Sequence, residues 1–232
     1  MKFLKDTIQS FKWYEVALWI GSVVAVILSF ALSSERDILT LIASILGATS
    51  LIFVAKGNVI GQFLGVAFAV FYGIISFYFH YYGEMITYLC MTAPISVASI
   101  VTWLRNSAKG RAAEVKVNAI RWKECVFLGF LSVAVTVAFY FILQAFGTQN
   151  LLFSTISVLT SFVACYLAMR RSRFYAIAYA ANDVVLIVLW VLATIETLSY
   201  LPMIVCFGIF LLNDVYGFLH WTFMERRQKT QS

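Results

Sequence analysis

"FYAIAYAANDVVLIVLWVLAT", residues 174–194, carries a single charged side chain in 21 positions, Asp183 near its middle. At 1.5 Å per residue a helix of this length covers about 30 Å, the hydrocarbon thickness of a bilayer. The stretch therefore reads as a membrane-spanning helix. Comparable runs at roughly 15–32, 38–55, 59–80, 84–104, 124–146, 150–169 and 198–224 bring the count to eight spans. Composition agrees, with 62% hydrophobic and 12% charged residues against about 25% charged in an average soluble domain. Alternating segments of about 10 residues, the mark of a membrane β-barrel, are missing from the sequence. The fold class is an all-α polytopic membrane protein.

Residues 15–32 exceed the 7 to 15 apolar residues of a signal-peptide core and read as a retained first span. In the preceding "MKFLKDTIQSFKWY", Phe3, Leu4, Ile8 and Phe11 fall near one helical face with lysines elsewhere, the pattern of an interfacial helix. Four cysteines stand singly in apolar segments, without metal-ligand spacing or a disulfide framework.

Charge sets the orientation. With the N-terminus in the cytoplasm, the cytoplasmic stretches hold every one of the 17 basic residues except Arg36, while Glu35, Asp37, Glu84 and Glu196 fall on the other side. The positive-inside rule is satisfied, and both termini are expected in the cytoplasm. The net charge of +6 is thus spread over loops as topology requires and does not mark a nucleic-acid surface. The one sizeable loop, "RNSAKGRAAEVKVNAIRWK" at 105–123, is of the kind that lies against anionic lipid.

Two echoes divide the chain. "GEMITYL" at 83–89 matches "IETLSYL" at 195–201 with an offset of 112, and "SILGATSLIF" at 44–53 matches "SVLTSFVACY" at 157–166 with an offset of 113. Helices 2 to 4 then correspond to helices 6 to 8, and an odd number of spans between them makes the repeats parallel, an architecture known among transporters. The expected organisation is 1–36, an N-terminal interfacial segment with the first span; 37–104, a first triple-helix repeat; 105–123, a basic cytoplasmic loop; 124–147, a linker helix; 148–224, a second triple-helix repeat; and 225–232, a cytoplasmic tail.

Asp183 is not alone. "FLLNDVYGFLHW" at 210–221 repeats the Asn-Asp pair of Asn182 and Asp183 as Asn213 and Asp214. An acid at a helix centre costs on the order of 2.5 to 3.5 kcal/mol to insert, so such residues face the protein interior or a water-filled cavity. Tyr179, Asp183 and Trp190 share a face of helix 7, and Phe210, Asp214, Phe218 and Trp221 share one of helix 8. Carboxylates among aromatic rings suit a flat cation. Helix 3 adds Gln62 and Tyr72 beside a stripe of Gly57, Gly61, Gly65, Ala69 and Gly73, which permits close helix packing. Helix 4 adds Thr92, Ser96, Ser99 and Trp103 at helical spacing.

No Lys or Arg lies near a helix centre, which disfavours a phosphorylated substrate. A P-loop, an H-E-x-x-H motif and a Ser-His-Asp set are all missing, and neither "AAND" nor "LLND" matches the G-x-G-D type motif of intramembrane aspartyl proteases. The chain reads as a non-enzyme without metal or cofactor.

The stretches "LIFVAKGNVIGQFLGVAFAVFYGIISFYFHYYGEMITYL", "AYAANDVVLIVLW" and "YLPMIVCFGIFLLNDVYGFLHW" resemble the PnuC family of bacterial nicotinamide riboside transporters. The string N-D-x-Y-G-x-x-x-W from Asn213 to Trp221 is the most specific part, whereas helix 4, "ISVASIVTWLRN", keeps only Trp103 of the version expected in the first repeat. The resemblance implies a 3+1+3 core similar to that of SWEET sugar transporters and a homotrimer in the bacterial cytoplasmic membrane. It also implies facilitated uptake of nicotinamide riboside, trapped inside by phosphorylation. On this reading the substrate is held by Gln62, Tyr72, Asn182, Asp183, Trp190, Asn213, Asp214 and Tyr216, with Asn58, Tyr88, Thr92, Tyr179, Trp103, Phe218 and Trp221 as further candidates. Two alternatives stay open: another vitamin such as thiamine, also a flat cation, and a proton-coupled symporter that uses Asp183 and Asp214.

Overall fold

The computed structural model describes residues 11–32, 38–78, 81–108, 111–148, 150–196 and 201–230. The proposed interfacial residues Phe3, Leu4 and Ile8, together with Arg36 and His80, lie outside this set. Among the described residues, eight helices are long and apolar enough to cross a membrane. They are α1 (Trp13–Leu32), α2 (Ile38–Ala55), α3 (Val59–Tyr78), α4 (Tyr82–Arg105), α5 (Trp122–Ala145), α6 (Leu151–Met169), α7 (Tyr175–Glu196) and α8 (Leu201–Thr230). Every backbone amide in hydrocarbon must find its partner within the protein, and helices satisfy that locally.

Six helices close a ring in the order α2, α3, α4, α6, α7, α8 and back to α2. Exchanging α2, α3 and α4 for α6, α7 and α8 maps each of these pairings onto another. Outside the ring, α1 packs on α2 and α8, and α5 packs on α6. Both outer helices expose much of their apolar surface, among them Val24, Ile27 and Leu28 on α1 and Phe127, Phe130 and Phe141 on α5.

A close approach of α3 to α2 follows from Gly61. A Cβ there would lie 2.5 Å from the backbone nitrogen of Val54 and 2.8 Å from the carbonyl of Ser50, so only glycine lets α3 meet α2 at this depth. Ser50 Oγ completes the contact by donating to the Gly61 carbonyl at 2.7 Å. Gly57, with φ of +67°, makes the turn between the two helices.

Helix α4 is not regular. Pro94 offers no N–H and its ring collides with the carbonyl four residues earlier in an ordinary helix. The chain answers with a π-helical stretch at Thr87–Thr92, which widens the turn before Ala93–Arg105 resumes as α-helix.

The basic loop folds back over the bundle. Strands β1 (Ser107–Ala108) and β2 (Arg111–Val115) pair antiparallel, and the segment is then pinned to both halves of the ring. Val115 N donates to the Gly57 carbonyl at 2.9 Å, Asn118 N to the Arg171 carbonyl at 3.0 Å, and Val117 N to Gln228 Oε1 at 2.9 Å. Glu114 pairs with Arg227. These contacts also explain why α8 runs on to Thr230 where a tail from residue 225 was expected: Arg173 and Lys229 bind Glu225, and Arg227 and Gln228 hold the loop.

Candidate functional site

A cavity of about 80 Å³ sits inside the ring, reached by residues of all six helices. The second half of the chain supplies its charge, because Asp183 on α7 and Asp214 on α8 both line it. Both carboxyl groups belong to the same cavity wall, and among the described residues Asp183 Oδ2 has no hydrogen-bond partner. Each side chain is about 3% exposed. Among the described residues, no Lys, Arg or His lines the cavity.

Asn182 is aimed by α6. Its Oδ1 accepts from Thr160 Oγ1 at 2.8 Å, from Ser161 Oγ at 2.9 Å and from Ser157 Oγ at 3.5 Å. With the carbonyl side occupied, the amide's two N–H donors are what remain for a ligand. This hydroxyl stripe is not among the candidates read from the sequence, although Ser154, Ser157 and Ser161 recur there at i, i+3 and i+7 as one face. Tyr179 is fixed in the wall by Cys165 Sγ, 3.2 Å from its hydroxyl.

The first half contributes shape and neutral polarity. Gln62 lines the cavity beside Gly61 and Gly65 on α3, and Tyr88, Thr92 and Ser96 bring in α4. Helix α4 thus takes part despite its reduced motif. Phe68 and Phe210 add ring faces 5.3 Å apart in an edge-to-face pair. Phe210 seats on Gly47, where a Cβ would come within 2.2 Å of its ring. Phe68 carried no readable signal.

Several candidates lie elsewhere. Trp190 Nε1 donates to the Tyr72 hydroxyl at 3.0 Å, and Tyr81 packs on Trp190 with ring centroids 4.9 Å apart, so these side chains form an aromatic layer on one side of the cavity. Trp103 and Trp221, 5.5 Å apart, make the corresponding layer toward the basic loops, with Tyr175 packed on Trp221. Trp103 Nε1 donates to the Ala168 carbonyl at the end of α6, and Trp221 Nε1 to the Val54 carbonyl at the end of α2. Each tryptophan of one triplet's third helix therefore reaches the first helix of the other triplet.

Asn213 turns away from the cavity toward α1, donating to Ser22 Oγ at 3.1 Å. Tyr216 donates to Glu15 Oε1 at 2.6 Å, within a cluster where Lys56 Nζ reaches Glu15 Oε2 at 2.7 Å and His220 Nδ1 lies 3.2 Å from the Tyr216 hydroxyl. Asn58 caps α3 by accepting from Ile60 N, and Phe218 packs against Phe174. Of the expected residues, Gln62, Asn182, Asp183, Asp214, Tyr88, Thr92 and Tyr179 are brought together around the cavity.

The sequence pattern of the nicotinamide mononucleotide transporter family matches residues 37–223, from the start of α2 almost to the end of α8. The chain belongs to this family. The proteins it is similar to are transporters, not enzymes. A nicotinamide riboside transporter PnuC from Neisseria mucosa is 26% identical over 194 residues, covering 82% of this chain and 74% of that one. Another of that name from Haemophilus influenzae is 23% identical over 224 residues, 96% of each chain. A crystal structure described as the vitamin B3 transporter PnuC superposes with a TM-score of 0.86 at 23% identity, covering 98% of this chain and 99% of that chain. Membership in the family thus carries the same eight-helix fold, and the cavity described above lies wholly within the matched residues.

Proposed function

We propose that this chain takes up nicotinamide riboside into a bacterial cell by facilitated diffusion, with alternating access to the cavity and capture of the product by cytoplasmic phosphorylation. The observation that carries the reading is the pair Asp183 and Asp214, buried in a cavity walled by Phe68, Tyr88, Tyr179 and Phe210 that no cationic side chain among the described residues lines. Nicotinamide riboside bears a fixed pyridinium charge, which the carboxyl pair attracts and the rings stack upon. The donors of Asn182 and the amide of Gln62 suit its carboxamide and ribose hydroxyls.

The family description names the mononucleotide, and the two relatives above are named for the riboside. Electrostatics favour the riboside. A phosphate would have to enter beside two carboxyl groups with no Lys or Arg to meet it.

The cavity is contracted. Sites that enclose a small ligand usually measure about 300 Å³ or more, so a nucleoside is admitted only when the two triplets move apart. The pairings of the ring and the crossed tryptophan bonds support two parallel triplets, residues 37–104 and 148–224, joined by α5 over 124–147. The basic character of the loop between α4 and α5 supports a cytoplasmic location for both termini. A homotrimer, the expected assembly, would place some of the exposed apolar surface of α1 or α5 against a neighbour; native mass spectrometry of the solubilised protein tests it.

The presence of Asp183 and Asp214 in one cavity also supports a second reading, proton-coupled uptake, since one proton shared by two carboxyls is easily moved. Reconstituted vesicles separate the two: facilitated diffusion gives riboside uptake that is unchanged when the pH gradient is removed, and symport gives uptake that collapses. Calorimetric titration with nicotinamide riboside, its mononucleotide and thiamine tests the substrate, and a preference for thiamine would move the assignment to that vitamin.

A further inference from the structure

Glu84 stands in the first turn of α4 with its side chain about 1% exposed. Neither carboxyl oxygen has a hydrogen-bond partner, and among the described residues no basic side chain forms an ion pair with it. A buried acid in a membrane protein is costly unless it is protonated or meets a counter-charge or a polar ligand, and such residues mark substrate and ion pathways. The surroundings are polar and also incompletely satisfied. The Ser157 hydroxyl of α6 is the neighbour of the carboxyl. Thr148 Oγ1, likewise buried without a partner, belongs to a side chain that a Cβ on Gly83 would meet at 2.7 Å.

The position of Glu84 relates it to the central cavity. Glu84, Tyr88, Thr92 and Ser96 follow one another at intervals of four along α4, and the last three line the cavity. Glu84 continues that face by one turn, about 6 Å along the helix axis. It lies toward the end of the bundle away from the basic loops. Ser157 forms the link, since its hydroxyl also lies 3.5 Å from Asn182 Oδ1 in the cavity wall. Tyr72 and Trp190 sit six residues inside the ends of α3 and α7, whereas Glu84 sits two residues inside the start of α4. Tyr81, which packs on Trp190, and Tyr88, which packs on Tyr72, flank Glu84 at the start of α4, so the carboxyl lies at the level of the aromatic layer, with Asp183 and Asp214 on its inner side.

We propose that Glu84 is a second cation-recognition station, which receives the positively charged ring of the substrate on its way past the Tyr72 and Trp190 layer to the central carboxyl pair. The inference rests on the proposed uptake of a pyridinium nucleoside and adds a division of labour. Glu84 admits the cation, and Asp183 with Asp214 holds it.

The test compares uptake of labelled nicotinamide riboside with uptake of its uncharged dihydro form, which keeps the carboxamide and ribose but lacks the positive charge. Reconstituted vesicles carry wild type, Glu84→Gln or Glu84→Asp, and riboside affinity is measured in parallel by calorimetry on each purified protein. Expected for Glu84→Gln is a rise of at least five-fold in the KM for the cation, unchanged uptake of the neutral form and a Kd within two-fold of wild type. Glu84→Asp, which keeps the charge, should restore the preference for the cation. Equal loss of both substrates in Glu84→Gln, or unchanged cation uptake, overturns the proposal. A wild-type protein that carries no nicotinamide riboside at all overturns the functional reading itself, and does so before any variant is compared.

Discussion

Trp190 donates its indole N–H to the Tyr72 hydroxyl at 3.0 Å, and both side chains are wholly buried. The bond ties α7 to α3, so it crosses between the two halves of the ring. Replacing Tyr72 with Phe keeps the ring packing against Tyr88 and Phe207 but removes the hydroxyl acceptor of the indole, at a cost of about 1 kcal/mol. Tyr72→Phe should lower the thermal midpoint of the purified protein while leaving substrate affinity within a few-fold, because neither residue lines the cavity. Unchanged stability would mean that the bond does not hold the layer together.

Glu15 gathers three donors at the basic end of the bundle: Lys12 N, Lys56 Nζ and the Tyr216 hydroxyl, all within 2.7 Å. It thereby joins α1 to the α2–α3 turn and to α8. Its lysine partner is only 10% exposed. Glu15→Ala removes a carboxylate that three donors share and should lower the thermal midpoint of the purified protein. Glu15→Gln combined with Lys56→Gln should cost distinctly less, and a double-mutant cycle read from thermal unfolding checks the coupling.

Close packing at Gly61 leaves no space for a methyl group, whereas Gly129 on α5 has nothing within 4 Å of an added Cβ. Gly61→Ala should lower both the thermal midpoint and transport by forcing α2 and α3 apart. Gly129→Ala should leave both unchanged within error. Matching behaviour of the two variants would remove the close approach as the explanation of the small-residue stripe.

Much of this arrangement was legible in the sequence for a simple physical reason. Apolar runs have to match the bilayer, so each of the eight spans fell within a few residues of an observed helix. Asp183, Asp214, Asn182 and Gln62 could be picked out because polar groups inside such runs demand an interior environment. Neighbouring residues on a helix point about 100° apart, and this is where the reading lost its way: Asp214 faces the cavity while Asn213 and Tyr216 face α1. Only the docking of α1, a tertiary fact, decides between those faces. Glu84 was passed over because it stands at a helix start, where acids are commonly solvated, and its burial depends on the neighbouring helices. The hairpin at Ser107–Val115 was equally hidden, since "RAAEV" carries no strand alternation and its pairing follows from contacts with Gly57, Arg171 and Arg227.

Removing the central carboxyls separates binding from folding. Two acids buried side by side are held at a cost, and Asp183→Asn with Asp214→Asn relieves it. The double variant should be at least as stable as wild type. Because the two groups line one cavity, the effects of the single changes on affinity should not add.

The affinity of that double variant for nicotinamide riboside, measured calorimetrically on purified protein, bears most directly on the claim that Asp183 and Asp214 recognise a cation. The account predicts binding by wild type and a loss of at least about ten-fold, or 1.4 kcal/mol, in the variant. An affinity equal to that of wild type would contradict it.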